Sequence, residues 1–136
     1  MGARDLPRLQ TRGVTVVACP RSNRRLRVGL APVPRLLSSG IPVALGTDSL
    51  ASVPDLDLFA EMAALREEHP ALPAAAVLRM ATVNGARALG LEETLGSIAP
   101  GRSARLIHVP VPPGGDPLEV VTAGRPEVTW LEEVEA

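Results

Sequence analysis

The sequence has no tyrosine and no lysine, and among its 136 residues it holds one cysteine (Cys19), two histidines (His69 and His108) and two aromatic rings (Phe59 and Trp130). Each shortage excludes something. A single cysteine can form neither an intramolecular disulfide nor a multi-cysteine zinc site. The arginines Arg21, Arg24, Arg25 and Arg27 lack interleaved stacking aromatics and a helix-turn-helix pattern. They therefore read as a solvated or subunit-facing basic surface, and no nucleic-acid partner is expected. No apolar run approaches the roughly 20 residues that cross a bilayer, and the N-terminal residues carry no signal-type apolar stretch. The expectation is a cytoplasmic protein with no membrane partner.

Apolar residues make up 46% of the chain and charged residues 21%, a balance that supports a folded core; 14 prolines and 12 glycines cut it into short elements. The length suits one core, or part of one. Net charge is −1 but polarised: residues 1–35 carry eight arginines against Asp5, the remainder six against fourteen acids. The β-branched run Gly13–Ala18 predicts a strand that stops at Cys19-Pro20. A helix is predicted over Pro32–Ser39 with Gly40 as its stop, followed by an apolar strand from Ile41 to Gly46. Strand, helix, strand within about 35 residues is a βαβ unit with parallel pairing. Ser52-x-x-Asp55 resembles a capping box before a helix marked by Leu58, Met62 and Leu65 and ending at His69-Pro70. Pro73 opens another, continued from Asn84 to Leu89. Beyond Gly96 the pattern reads as β: Leu106–Val109, Leu118–Thr122 and Val128–Leu131, separated by proline and glycine turns.

Two buried-type parallel strands need neighbours on their edges and helices on both faces, and one βαβ unit does not supply them. The expected sheet is incomplete, so the chain either assembles with something else or is the end of a longer protein. Asp48 stands just past the carboxyl end of the second strand, where α/β folds place ligands and catalytic groups. A carboxylate there can bind a divalent metal, act as a general base or accept a ribose hydroxyl; it can also cap the next helix or pair with an arginine. A nucleotide-binding domain is disfavoured by the lack of a Gly-x-Gly-x-x-Gly turn after a strand. His69, at a helix end, and His108, in a late strand, read as structural, and Cys19 as a small packed group.

Five segments in order resemble the amidohydrolase superfamily, in its branch of metal-dependent deaminases and chlorohydrolases. They are Cys19-Pro20-Arg21-Ser22-Asn23, Gly29–Val33, Val43–Ser52 with Gly46-Thr47-Asp48-Ser49 at its centre, Leu78–Leu91 and Gly96–Gly101. The resemblance covers about residues 13–109 and is nearest to the aminofutalosine and adenosine-type deaminases. It implies an α/β fold, the C-terminal part of a (β/α)8 TIM-type barrel. Residues 1–95 would hold the last two strands with their helices, and residues 96–136 the β segments of a small sandwich domain. The strand at 14–18 would be the seventh and that at 42–47 the eighth.

The resemblance further implies one divalent metal, zinc or iron, held by histidines of earlier strands and by an aspartate matching Asp48. Asp48 would be both metal ligand and catalytic base, since a carboxylate beside a metal-bound water can take its proton as the hydroxide attacks a C–N carbon. Arg21, Ser22, Asn23 and Ser49 would line the mouth as substrate-binding residues for a small molecule, an amino-purine nucleoside or related aromatic amine. The His-x-His pair and the later histidines of that family are missing from this sequence, and Ala18 stands where many relatives have His. Three protein ligands are the usual minimum for a catalytic metal. The chain by itself is therefore expected to be inactive, an incomplete C-terminal segment. The alternative expectation is a non-catalytic segment that pairs with itself or with a complementing N-terminal barrel segment.

Overall fold

The computed structural model describes residues 5–131. Within them the order is α1 (Asp5–Thr11), β1 (Val16–Ala18), α2 (Pro20–Leu26), α3 (Val33–Ser38), β2 (Val43–Leu45), α4 (Leu58–Glu68), α5 (Ala74–Ala81), α6 (Val83–Ala88), β3 (Leu106–His108), α7 (Pro117–Thr122) and β4 (Thr129–Leu131). Residues 1–4 and 132–136, the outer ends of the two expected units, lie outside the described residues.

β1 and β2 pair in parallel, with Val16 opposite Val43, Val17 opposite Ala44 and Ala18 opposite Leu45. The crossover between them runs through α2 and α3, which makes the predicted βαβ unit. Gly46 ends the pair closely: a Cβ there would lie 2.8 Å from Val17 Cγ1, so only glycine lets the chain leave β2 over that side chain. Val43, Ala44 and Leu45 are all buried. Val33 and Leu36 cover them from α3, Met62 and Leu65 from α4, and Val77 and Met80 from α5. Asn84 at the start of α6 donates from Nδ2 to Val43 O at 2.7 Å, satisfying a strand carbonyl that no strand among the described residues takes.

Two local readings need correction, and one helix was not predicted. Cys19-Pro20 ends β1 as predicted and also starts a helix: Pro20 is the first residue of α2, where its missing N–H costs nothing, so Arg21, Ser22 and Asn23 lie on a helical turn. The helix after Asp48 is capped by Asp57, whose carboxylate accepts from the backbone N–H of Phe59 and Ala60, and not by a box at Ser52 and Asp55. Leu118–Thr122 is helical. Asp116 caps it by accepting from Leu118 N, and Pro117 sets the first turn. α7 then packs on α4 and α5, with Arg66 donating to Glu119 Oε2 and to Thr122 Oγ1 (2.9 Å). That burial outweighs the strand preference of Val120 and Val121.

β3 and β4 form a separate antiparallel pair, Leu106 opposite Leu131, Ile107 opposite Trp130 and His108 opposite Thr129. Both strands are largely exposed, Trp130 at 70% of its surface. Val17 on the parallel pair is likewise 51% exposed. Apolar side chains on both sheets thus lack cover among the described residues.

Candidate active site

The chain leaves β2 through Gly46 and Thr47 and reaches Asp48 in the left-handed region, φ 62°. Aspartate tolerates that conformation better than most residues with a Cβ. It turns the chain so that two hydroxyls converge on one carboxylate oxygen: Ser22 Oγ donates to Asp48 Oδ2 at 2.8 Å and Ser52 Oγ at 3.0 Å. Ser22 and Ser52 are buried, while Asp48 itself is exposed. The two donors are not equal. A serine has one hydroxyl hydrogen, and Ser52 Oγ also lies 3.1 Å from Ser49 O, so its hydrogen is divided between two acceptors. Ser22 has Asp48 alone. Asp48 Oδ1 takes no hydrogen bond among the described residues and is the oxygen left open.

Beneath this carboxylate lies a second layer that the sequence reading did not pick out. Glu61 of α4 is wholly buried. Its Oε2 accepts from the backbone N–H of Arg21 at 3.0 Å. The Arg21 guanidinium bridges to Asp55 Oδ1 at 2.7 Å and comes within 3.8 Å of Glu61 Oε1. Arg125 adds a contact to Asp55 Oδ2 at 3.1 Å and to Asp57 Oδ2 at 3.2 Å. The sequence did contain a signal for Glu61: with Leu58, Met62 and Leu65 it completes an i, i+3, i+4, i+7 stripe, so an acid sits on the face that must be buried.

The electrostatics follow from burial. Burial pushes the Glu61 carboxyl up, against the opposing pull of the Arg21 N–H and guanidinium; at 3.8 Å that guanidinium is too distant to offset the lost water. Glu68, two turns on, is also raised by burial despite Arg24 Nη2 at 3.5 Å, and neither of its buried oxygens takes a hydrogen bond. Asp55 is lowered by the hydrogen bonds from Arg21 and Arg125. The Cys19 thiol is raised by burial and then by the negative charges of Asp48 and Glu61. Cys19 is therefore a protonated packing group at neutral pH, not a nucleophile.

Of the residues singled out from sequence, the structure brings Ser22 onto Asp48 and engages Arg21 with carboxylates of α4 and the segment before it. Asn23 lies on α2 and Ser49 is exposed next to Asp48; neither side chain makes a hydrogen bond among the described residues. His69 Nε2 sits 3.0 Å from Ala31 O, a fold contact, and His108 is exposed on β3. Among the described residues no group of three or more His, Cys, Asp or Glu side chains is arranged to hold a metal ion. Asp48 offers one ligand position, and the residues present do not by themselves make a metal centre.

The amidohydrolase family profile matches residues 2–127. A 5-methylthioadenosine/S-adenosylhomocysteine deaminase of Syntrophobacter fumaroxidans is 51% identical over 113 residues, which is 78% of this chain and 26% of that protein. Among solved structures, an adenosine deaminase from Xanthomonas campestris with bound zinc superposes with a TM-score of 0.83 at 34% identity, covering 93% of this chain and 31% of the other. The atrazine chlorohydrolase of Arthrobacter aurescens complexed with zinc gives a TM-score of 0.67 at 32% identity, over 77% of this chain and 25% of the other. The chain spans about a quarter of the length of the curated relatives it matches. No helix among the described residues is long and apolar enough to cross a membrane.

Proposed function

Since the chain belongs to the amidohydrolase family, we propose that it carries the closing strands and the reactive carboxylate of a hydrolase that deaminates an adenine nucleoside of the 5-methylthioadenosine or S-adenosylhomocysteine kind. β1 and β2 are then the last two strands of a (β/α)8 barrel. α7 returns to the barrel's helical layer, and β3 and β4 belong to the small sandwich unit that begins near residue 96. The reaction adds water to the ring carbon bearing the amino group, forming a C–O bond, and releases ammonia as the C–N bond breaks.

The observation that carries this reading is Asp48, held at the carboxyl end of a parallel strand with Oδ2 fixed by Ser22 and Oδ1 open. In the proposal Oδ1 takes the proton of the attacking water and returns it to the departing amine. Asn23 and Ser49 face the substrate, while Ser22 and Arg21 support the carboxylate. A divalent metal, zinc or iron, would supply Lewis acidity in the complete enzyme. Its further ligands must come from outside the described residues, in a preceding barrel segment or a complementing chain, and the setting is the cytoplasm.

The test is ammonia release from 5-methylthioadenosine by the chain alone, by the chain joined to the barrel segment that precedes the matching region in the Syntrophobacter relative, and by the same hybrid with Asp48→Ala. Turnover by the wild-type hybrid only supports the reading. Turnover by the chain alone contradicts the incomplete site, and turnover by the Asp48→Ala hybrid contradicts the role of Asp48. A second reading, a non-catalytic segment that associates with itself or a partner, is favoured by the exposed Val17 of β1 and by the lack of a ligand cluster among the described residues. It predicts an inactive hybrid and a chain that self-associates.

A further inference from the structure

Glu61 is a buried carboxylate that the proposed chemistry does not use, and burying a charge is costly unless its partners are worth the desolvation. Oε1 is buried without a hydrogen bond. Oε2 has one partner, the N–H of Arg21. That N–H belongs to the first turn of α2, which has few other ways to satisfy its donors. The residue before the helix, Cys19, makes no side-chain cap bond, and Pro20 has no N–H to offer. A carboxylate from α4 therefore does, from 40 residues away, what an aspartate or serine at the cap position does locally in other helices. The next residue along α2 is Ser22, the committed donor to Asp48 Oδ2. Only one peptide unit separates the atom Glu61 holds from the residue that holds Asp48.

We infer that Glu61 is a positioning residue for Asp48, acting through the N-terminal turn of α2: its carboxylate fixes Arg21 N, Arg21 N fixes the Ser22 hydroxyl, and Ser22 selects Oδ2 as the bonded oxygen and leaves Oδ1 open. The catalytic meaning of this rests on the proposed role of Asp48, but the mechanical coupling does not, and the two fail separately. An inactive wild-type hybrid would remove the catalytic reading and leave the coupling untouched.

The coupling is read on the chain itself by NMR, from the exchange rate of the Arg21 amide and the carboxyl 13Cγ shift of Asp48. Glu61→Leu keeps an apolar shape and removes the acceptor. It should speed Arg21 amide exchange by on the order of tenfold, as expected for one lost charge-assisted hydrogen bond. It should also move the Asp48 13Cγ signal in the direction that Ser22→Ala moves it. The double variant should move it no further than Ser22→Ala alone. Glu61→Gln, which retains an acceptor oxygen, should restore most of both signals. Glu119→Gln, which weakens a remote ion pair with Arg66, should leave Asp48 unmoved. An Asp48 signal that stays in place while Arg21 exchange accelerates overturns the inference, as do additive shifts in the double variant. Should Glu61→Leu fail to fold, Glu61→Ala, which also removes the acceptor, decides: faster Arg21 exchange with a parallel shift at Asp48 supports it, and unchanged exchange, or faster exchange with no shift, overturns it.

Discussion

Replacing Asp48 should cost stability in a graded way that its surroundings dictate. In Asp48→Ala the buried Ser22 hydroxyl loses its only acceptor, a penalty of about 1–3 kcal/mol for an unsatisfied buried donor. Ser52 adds little, because Ser49 O is already within reach of its hydrogen. The left-handed φ of 62° adds about 1 kcal/mol for alanine. The sum is a loss of about 2–4 kcal/mol. Asp48→Gly relieves the backbone part and should lie about 1 kcal/mol above the alanine variant. Asp48→Asn keeps an acceptor oxygen and the backbone tolerance, and should lie within about 1 kcal/mol of wild type. Urea unfolding followed by far-ultraviolet circular dichroism gives the order. An alanine variant as stable as the asparagine one would refute the clamp, and equal alanine and glycine variants would refute the backbone argument. Should activity be present in the complete enzyme, Asp48→Asn separates the two roles, since it keeps the fold and removes the base.

Met80→Ala should lose about 2–5 kcal/mol by opening a cavity in the layer between α5 and β2, visible as a lower urea midpoint at unchanged slope, because Met80 has no exposed surface. Asp57→Ala should lose about 1 kcal/mol from the α4 cap, and Asp57→Asn almost none; equal losses in the two would point to the ion pair with Arg125 instead of the cap. Glu61 and Glu68 hold their protons to higher pH in the folded chain than in the unfolded one. The folded state therefore binds more protons above the ordinary glutamate range, and stability falls as pH rises through it. Asp55 acts in the opposite sense: its lowered pKa adds stability above the ordinary aspartate value, which is lost as pH falls through the lowered one. Glu61→Gln with Glu68→Gln should flatten the upper part of the stability–pH curve and leave the acid limb in place, and an unchanged upper limb would contradict the burial argument.

The parallel pair and the position of Asp48 were legible in the sequence, because an apolar β-branched run ending in Gly46-Thr47-Asp48 has few other readings. α2 was not. Its start looks like a strand stop at Pro20, and its capping group is Glu61, far along the chain, so no local pattern announces it. The cap of α4 was misplaced by five residues, since Ser52 and Asp55 mimic a box while Asp57 makes the bonds. At Leu118–Thr122 the β-branched residues favoured a strand, and packing on α4 and α5 with the Asp116 cap favoured a helix; the tertiary contacts prevailed. Of the proposed site residues, the sequence reached Asp48 and Ser22 by resemblance, but the division of labour between Ser22 and Ser52 depends on which acceptors each hydroxyl meets in space.

In the proposed function Asp48 completes a metal site whose other ligands come from outside the described residues. Zinc stoichiometry, measured after dialysis on the chain alone, on its hybrid with the preceding barrel segment of the Syntrophobacter relative, and on the Asp48→Ala hybrid, tests this directly. The prediction is no retained zinc on the chain alone, one equivalent on the wild-type hybrid, and clearly weaker retention on the Asp48→Ala hybrid. One tightly held equivalent on the chain alone, or undiminished retention without Asp48, would contradict it.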